Sequence, residues 1–266
     1  MQDSNILSLE QVSKYFYTSN GFFNNGRHFA ALDNVTLSVA SGSSLGIVGE
    51  SGSGKTTIAR LMCSIYKADK GRVLYDGKEI SMLSKNEKQE YMKNVQMVFQ
   101  DPNNTLNPKL TIKSALSDGI KQHITKDKDE IQEKLKQLME MVGLPYEYLE
   151  RYPHEFSGGQ RQRISIARAL SINPKVIIAD EPVSSLDVSV QAQILNLMKA
   201  LQKNGITLIL ISHSLAVVSN LCENIAVMQK GKLEEYGNTL EVLSNPQSEY
   251  TKSLLASSSY TFMKNN

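Results

Sequence analysis

The stretch Gly49-Glu50-Ser51-Gly52-Ser53-Gly54-Lys55-Thr56-Thr57 constrains this chain more than any other. It fits G-x-x-x-x-G-K-[ST], the spacing of a phosphate-binding loop, followed by a second Thr. Glycines let the backbone curl so that successive N–H groups point inward at phosphate oxygens. Lys55 supplies a cation for the β- and γ-phosphates, and the Thr56 hydroxyl is suited to Mg²⁺. A helix that starts here also turns the positive end of its dipole towards the anion. The flanks support the motif: Ser44-Leu45-Gly46-Ile47-Val48 reads as a short buried strand, and Ile58-Ala59-Arg60-Leu61-Met62-Cys63 as a helix. A glycine-rich turn arising by accident would not need this strand–loop–helix setting. The expectation is a nucleoside triphosphatase of a kind that the loop alone does not specify.

The 266 residues suffice for one large domain, or a domain with a subdomain, and 41% hydrophobic with 21% charged residues is ordinary for a globular chain. A net charge of +2 gives no bulk argument for nucleic-acid or membrane-surface binding. Cys63 and Cys222 lack metal-ligand spacing and are expected to be free, buried thiols. The N-terminus lacks the basic start and apolar run of a signal peptide, and no apolar run approaches the ~18 residues that span a bilayer. Membrane association is therefore expected through a partner.

Ahead of the phosphate loop, Ile6 to Val12 and Leu32 to Val39 alternate as antiparallel strands do, separated by a Gly- and Asn-containing loop from Thr18 to Phe29. The cluster Tyr15-Phe16-Tyr17 suits strand packing or stacking on a purine. Gly71 to Lys78 reads as strand then turn. Asn94 to Gln100 reads as a strand ending in an amide, and Asp101 to Pro108 breaks regular structure. From about Thr111 to Leu170 the texture is helical: Ile131, Leu135, Leu138, Met139 and Val142 fall on one helix face, with Gly143 as C-cap. Within this span Ser157-Gly158-Gly159-Gln160 opens another helix, which is a weak anion-binding signal taken alone. Lys175 to Asp180 is an apolar strand of the kind buried on both faces in parallel sheets. Its C-terminal end carries Asp180 and Glu181, where ligands bind in such sheets. Beside a phosphate loop, Asp180 suits Mg²⁺ and Glu181 suits a general base. Ser185-Leu186-Asp187 caps the next helix, and Ile206 to Ser212 is a further buried strand delivering His213. Ile225 to Gln229 and Lys232 to Tyr236 form a hairpin, Glu241 to Leu255 is helical with a break at Pro246, and the tail from Ala256 is expected to fray.

Taken together, Gly49–Thr57, Gln100, Ser157-Gly158-Gly159-Gln160, Asp180-Glu181, Ser185-Leu186-Asp187 and His213 make the chain resemble, over nearly its whole length, the ATP-binding subunits of ABC transporters. More narrowly it is similar to the oligopeptide/dipeptide/nickel importer branch. That likeness lies in Phe99 to Pro108, in Asp180 to Gln193, in Asn245-Pro246 through Leu255, and in the Gly21-Phe22-Phe23 insert. The resemblance implies that Gly49, Glu50, Ser51, Gly52, Ser53, Gly54, Lys55, Thr56 and Thr57 hold the nucleotide of one subunit. Ser157, Gly158, Gly159 and Gln160 would bind the ATP held by the opposite subunit. It also implies that Glu181 is the catalytic base, that Gln100 senses Mg²⁺ and the γ-phosphate and links to the membrane subunit, and that Asp180 and Thr56 bind the metal. His213 would contact the γ-phosphate, and Asp187 would contact the facing subunit. Phe16 best matches the adenine-stacking aromatic, with Tyr15 and Tyr17 as alternatives. Phe156 stands where the family's signature loop usually has Leu. A cysteine-containing C-terminal extension is missing, so no iron–sulfur cluster is expected.

The implied fold is α/β: a phosphate-loop NTPase core with a mainly parallel central sheet, an N-terminal antiparallel β region and an inserted helical subdomain. The implied divisions are about 1–100 and 172–240 for the RecA-like core with its β region, about 101–171 for the helical subdomain, and about 241–266 for a C-terminal helix and tail. The implied activity is ATP hydrolysis with Mg²⁺, in a head-to-tail ATPase dimer at the cytoplasmic face of the membrane. Two transmembrane permease subunits are the implied partners, together with a second related ATPase (or a copy of this chain) and, indirectly, an extracytoplasmic binding protein. Peptide, nickel and metal–chelator cargo all fit, and no nucleic-acid partner is expected. The alternative is a soluble ABC-type ATPase acting on nucleic acid or the ribosome. Such proteins usually carry two cassettes or a long coiled coil, whereas this sequence has one cassette and no long heptad array.

Overall fold

Period-two alternation of apolar residues builds the N-terminal sheet in this computed structural model, which describes residues 5–18, 27–101, 105–184 and 186–257. The Gly21-Phe22-Phe23 insert, Pro102, Ser185 and the tail beyond 257 lie outside the described residues. Strand β1 (Asn5–Thr18) pairs antiparallel with β2 (Arg27–Ala40), setting Leu7 opposite Val39 and Leu9 opposite Leu37. Its other edge pairs antiparallel with β4 (Lys70–Tyr75), and β5 (Lys78–Glu79) completes the order β2-β1-β4-β5. Leu7, Leu9, Val12, Val35 and Leu37 are all buried, which fixes the register, since a one-residue slip would turn this whole set to solvent. β1 runs past its predicted end through the aromatic cluster, and β2 begins at Arg27, inside the predicted loop.

By internal contacts the described residues form two units, one of Met1–Lys88 with Thr207–Asn266 and one of Gln89–Ile206. In the first, β3 (Ser44–Val48) lies parallel to β8 (Thr207–Ile211) on one side and to β9 (Asn224–Gln229) on the other, and β10 (Lys232–Asn238) returns antiparallel to β9. Every residue of β3 and β8 is buried, which explains why these strands read as continuous apolar runs and not as alternating ones. Helix α1 (Lys55–Met62) follows β3 and buries Ile58, Ala59, Leu61 and Met62. Helix α7 (Leu215–Leu221) lies so close to β3 that a Cβ on Gly46 would sit 2.2 Å from Val218 Cγ1. Two short helices, α8 (Thr239–Ser244) and α9 (Glu249–Ser257), end the described chain and flank the break predicted at Pro246.

In the second unit β6 (Val95–Val98) and β7 (Val176–Asp180) pair in parallel, and α3 (Ile112–His123), α4 (Lys128–Met141), α5 (Gly158–Leu170) and α6 (Val188–Lys203) supply the helical texture. Helix α4 buries Ile131, Leu135, Leu138 and Met139 along its predicted stripe. Each such side chain contributes roughly 1.5–3 kcal/mol on burial. Asp127 caps its start by accepting from the Asp129 and Glu130 amides, and Gly143 ends it at φ +65. The sequence reading missed two helices. One is α2 (Lys85–Asn94), whose mean polarity hides a stripe of only Tyr91 and Asn94, and the other is α7, a single short segment. Neither cysteine is in a disulfide; Cys222 is buried, which pushes its thiol up, whereas Cys63 is only half-buried, contrary to the expectation of two buried thiols.

Candidate active site

The phosphate loop connects β3 to α1 with the backbone its glycines permit. Gly49, Gly52 and Gly54 have φ of +146, +78 and +107. A Cβ on Gly49 would lie 2.1 Å from Met228 O, and one on Gly54 2.6 Å from Ala31 O, so larger residues fail on both strain and space. The turn between β9 and β10 braces the loop from outside: Gly231 N–H donates to Ser53 O at 3.0 Å, and Gly231 O accepts from Asp33 N at 2.9 Å. Lys55 is buried at 5% exposure, with Nζ donating to Gly49 O at 2.7 Å and to Glu50 O at 2.8 Å. Its ammonium is thus held against the loop's own carbonyls.

The residues present fit a polyphosphate. Among the described residues no side chain caps the N-terminus of α1, and its first turn has no acidic residue. The Ser53 hydroxyl is buried and has no hydrogen-bond partner among the described residues. Uncapped amides, a buried ammonium and an orphaned hydroxyl are groups that an anion would satisfy. In the same unit Ser212 N donates to Ile47 O at 3.1 Å, so the end of β8 is level with the end of β3 and His213 emerges, exposed, at the edge that carries the loop. Phe16 packs edge-on against Tyr66 with ring centroids 5.4 Å apart, and Tyr66 Oη accepts from Arg60 of α1 at 2.7 Å. Tyr17 is 74% exposed, and Tyr15 lies under Lys70 Nζ at 6.0 Å.

The remaining predicted residues belong to the second unit. Val98 of β6 is in register with Ala179 of β7, which brings Gln100 beside Glu181; Gln100 Nε2 donates to Glu181 Oε2 at 3.1 Å. Asp180 ends β7, buried at 5% exposure. Glu181 takes φ +45, a left-handed conformation that costs a non-glycine residue about 1 kcal/mol or more and that clusters at functional sites. Ser184 N and Oγ both donate to Glu181 O and hold it there, at 3.3 and 3.1 Å. The Gln100 amide oxygen and the Asp180 carboxylate are hard donors of the kind Mg²⁺ takes, and in the first unit the Thr56 hydroxyl is another, so the residue types fit the metal.

Ser157 caps α5: its Oγ accepts from Gln160 N at 3.4 Å, and Gln160 Oε1 accepts from Ser157 N at 3.0 Å. Ser157 and Gly158 are exposed, whereas Gly159 faces α6, where a Cβ would come within 2.3 Å of Val190 Cγ1. Asp187 caps α6 by accepting from Val190 N at 3.0 Å, and that bond, with one from Ser189 Oγ, holds its carboxyl below the ordinary range. Phe156 is buried edge-on to Tyr148 at 5.5 Å, so it fills space as Leu would. Gln162 was not anticipated; it is buried and its Nε2 donates to Phe99 O at 3.5 Å, tying α5 to the residue before Gln100. Its spacing four residues before Ile166, a buried residue of α5, is the sequence signal that could have placed it inward.

The sequence profile of the ABC transporter family matches residues 32–184. The oligopeptide transport ATP-binding protein AppF of Bacillus subtilis is 47% identical over 255 residues, 95% of this chain and 78% of AppF. OppF of Lactococcus lactis subsp. lactis, also an oligopeptide transport ATP-binding protein, is 44% identical, covering 95% of this chain and 80% of OppF. Among solved structures, CbiO1 of Clostridium perfringens, part of the ABC transporter complex CbiONQ, superposes with a TM-score of 0.77 at 30% identity, over 91% of this chain and 92% of CbiO1. A dimeric ATP-binding cassette in a post-hydrolysis state with ADP and Pi gives a TM-score of 0.77 at 28% identity, over 88% of this chain and 98% of that one. With a glycine-shaped phosphate loop opening a helix that no side chain caps among the described residues, carboxylates at the end of β7 and these relatives, the chain belongs to the ABC transporter family as one of its ATP-hydrolysing subunits.

Proposed function

We propose that this chain powers an importer of oligopeptides, working at the cytoplasmic face of the membrane with two permease subunits, a second ATPase and, indirectly, an extracytoplasmic binding protein. The observation that carries the catalytic reading is the Gln100–Glu181 hydrogen bond beside buried Asp180. The cargo reading rests on relatives named for oligopeptide transport that align over 95% of this chain. Lys55 and the loop amides bind the β- and γ-phosphates, and Phe16 stacks on adenine. Thr56, Asp180 and Gln100 would hold Mg²⁺, which would supply charge neutralisation on the phosphates. Glu181 accepts a proton from the attacking water, Gln100 orients that carboxylate, and His213 donates to the γ-phosphate. Ser157 to Gln160 meet the ATP of the facing subunit, and Asp187 meets that subunit at the dimer contact. ATP thus bridges the two subunits and ADP does not, and this differential binding drives closure.

The permease contact is proposed for a cleft of about 780 Å³ in the second unit, lined by Met92, Gln96, Thr105, Leu110, Asp118 and Arg168 among others. Thr105 O accepts from Arg168 of α5, so a cytoplasmic segment of the permease seated here touches both the chain leading from Gln100 and the helix behind Ser157.

To test this, the chain carrying Glu181→Gln is tagged, closed with Mg-ATP and purified from detergent-solubilised membranes. Two multi-span proteins and a second ATPase are expected by mass spectrometry, with loss of labelled-peptide uptake in cells. Only soluble ribosomal or nucleic-acid partners, or unchanged peptide uptake, would overturn the importer reading.

A further inference from the structure

Tyr250 lies in the first turn of α9, yet its hydroxyl accepts from the Glu50 N–H at 3.3 Å, across 200 positions of sequence. That N–H belongs to the same peptide unit as Gly49 O, which accepts from Lys55 Nζ at 2.7 Å. A peptide's N–H and C=O point in opposite directions in one rigid plane, so a partner that fixes one end aims the other. The Gly49–Glu50 peptide is therefore bridged, with the Tyr250 hydroxyl on one side and the Lys55 ammonium on the other. The next carbonyl, Glu50 O, takes Lys55 Nζ at 2.8 Å and Ser53 N at 3.2 Å. Bonds linked in this way polarise one another.

Tyr250 is itself held in place. The Glu235 carboxylate of β10 accepts from Gln247 N at 2.8 Å and Ser248 N at 3.1 Å, and Ser248 Oγ accepts from Tyr250 N at 3.2 Å. Thr251, the next residue, is buried at 1% exposure. The start of α9 is thus fastened to β10 just ahead of the tyrosine. Burial pushes the Tyr250 phenol above its ordinary value, so it remains a neutral acceptor across the physiological range.

We infer that Tyr250 is a positioning residue for nucleotide binding: by holding the Glu50 amide it fixes the peptide plane whose carbonyl orients Lys55. This rests on the reading of Lys55 as the phosphate-binding cation. Without the hydroxyl, the plane is free to turn until nucleotide arrives, and the cost of ordering it falls on the binding step.

The test uses the full chain, with Mg-ATP affinity measured by calorimetry alongside thermal unfolding. Tyr250→Phe keeps the ring and deletes only the hydroxyl. The expected result is about a fivefold weaker Kd for Mg-ATP, with a Tm change under about 2 °C. In a Lys55→Ala background the same substitution is expected to add less than about twofold, because the group it positions is gone. An unchanged Kd in Tyr250→Phe, or an equal loss in both backgrounds, would overturn the inference. Glu235→Gln, which loosens the start of α9 and leaves the hydroxyl in place, separates helix docking from positioning. If it reproduces both the Kd and the Tm of Tyr250→Phe, the role is structural and the inference fails. If Lys55→Ala alone leaves Kd unchanged, the reading of Lys55 fails and the inference falls with it; a weakened Lys55→Ala with an unaffected Tyr250→Phe sinks the inference alone.

Discussion

Two helices of this chain begin at glycine-containing loops, and they treat their first amides differently. α1 starts behind Gly54, with no side-chain cap among the described residues and a buried Lys55 beside the opening. α5 starts behind Ser157, where a reciprocal pair of bonds with Gln160 closes the N-terminus on itself. The first start is shaped by backbone that favours glycine and is braced by Gly231 and Tyr250 from elements distant in sequence. The second is capped by its own side chains, exposed at Ser157 and Gly158, and pinned by the close approach of Gly159 to Val190. A buried cation beside an uncapped helix start suits a polyphosphate. A capped, uncharged turn offers an anion less by itself, in keeping with the proposal that it meets a nucleotide held by the facing subunit.

The largest effect expected on this contrast comes from Lys55→Ala, which removes the cation from the open terminus. ATP hydrolysis, followed as phosphate release, is expected to fall about a hundredfold or more, as when a group stabilising transition-state charge is deleted. Gly159→Val acts on the other loop. Its branched side chain cannot fit where a Cβ already meets Val190 Cγ1 at 2.3 Å, so α5 and α6 must part at a cost of about 1–3 kcal/mol. Hydrolysis should then drop at least about tenfold while Mg-ATP binding to the phosphate loop stays within about twofold; parallel loss of both would erase the distinction drawn between the loops.

Ser157→Ala sharpens the comparison further. Loss of the cap costs about 1 kcal/mol, a fall in Tm of about 2–4 °C. If the hydroxyl also serves the facing nucleotide as proposed, a larger, about tenfold, loss of hydrolysis is expected on top; a Tm change with unaltered hydrolysis would reduce Ser157 to a cap.

The smallest effect concerns Asp187, the cap of the neighbouring helix. Its folded pKa lies below the ordinary 3.8, held down first by the Val190 amide and then by Ser189. A depressed acid contributes stability that is present above 3.8 and is lost as pH falls through the lower folded value. Thermal unfolding of Asp187→Asn should therefore lose part of the wild-type chain's decline in Tm in that acidic window and match it in slope near neutrality.

What the sequence determined by itself is what short-range geometry dictates. The spacing Gly49 to Thr57 points to a strand–loop–helix unit, because glycine most readily takes the left-handed backbone found at Gly49, Gly52 and Gly54. The stripe from Ile131 to Val142, the unbroken apolar run at β7, the Gly143 C-cap and the cap at Asp187 were legible for the same reason: each depends on neighbours a few residues away. Segments whose pattern is too polar or too short, α2 and α7, were not legible. The tertiary structure alone decided which side chains meet. Gln100 and Glu181 stand 81 positions apart and touch because β6 and β7 pair in one register. Gln162 reaches Phe99, Gly231 reaches Ser53 and Tyr250 reaches Glu50 across still more varied distances. Such contacts depend on how elements pack, and a local run of residues carries no information about the partner that packing will bring to it.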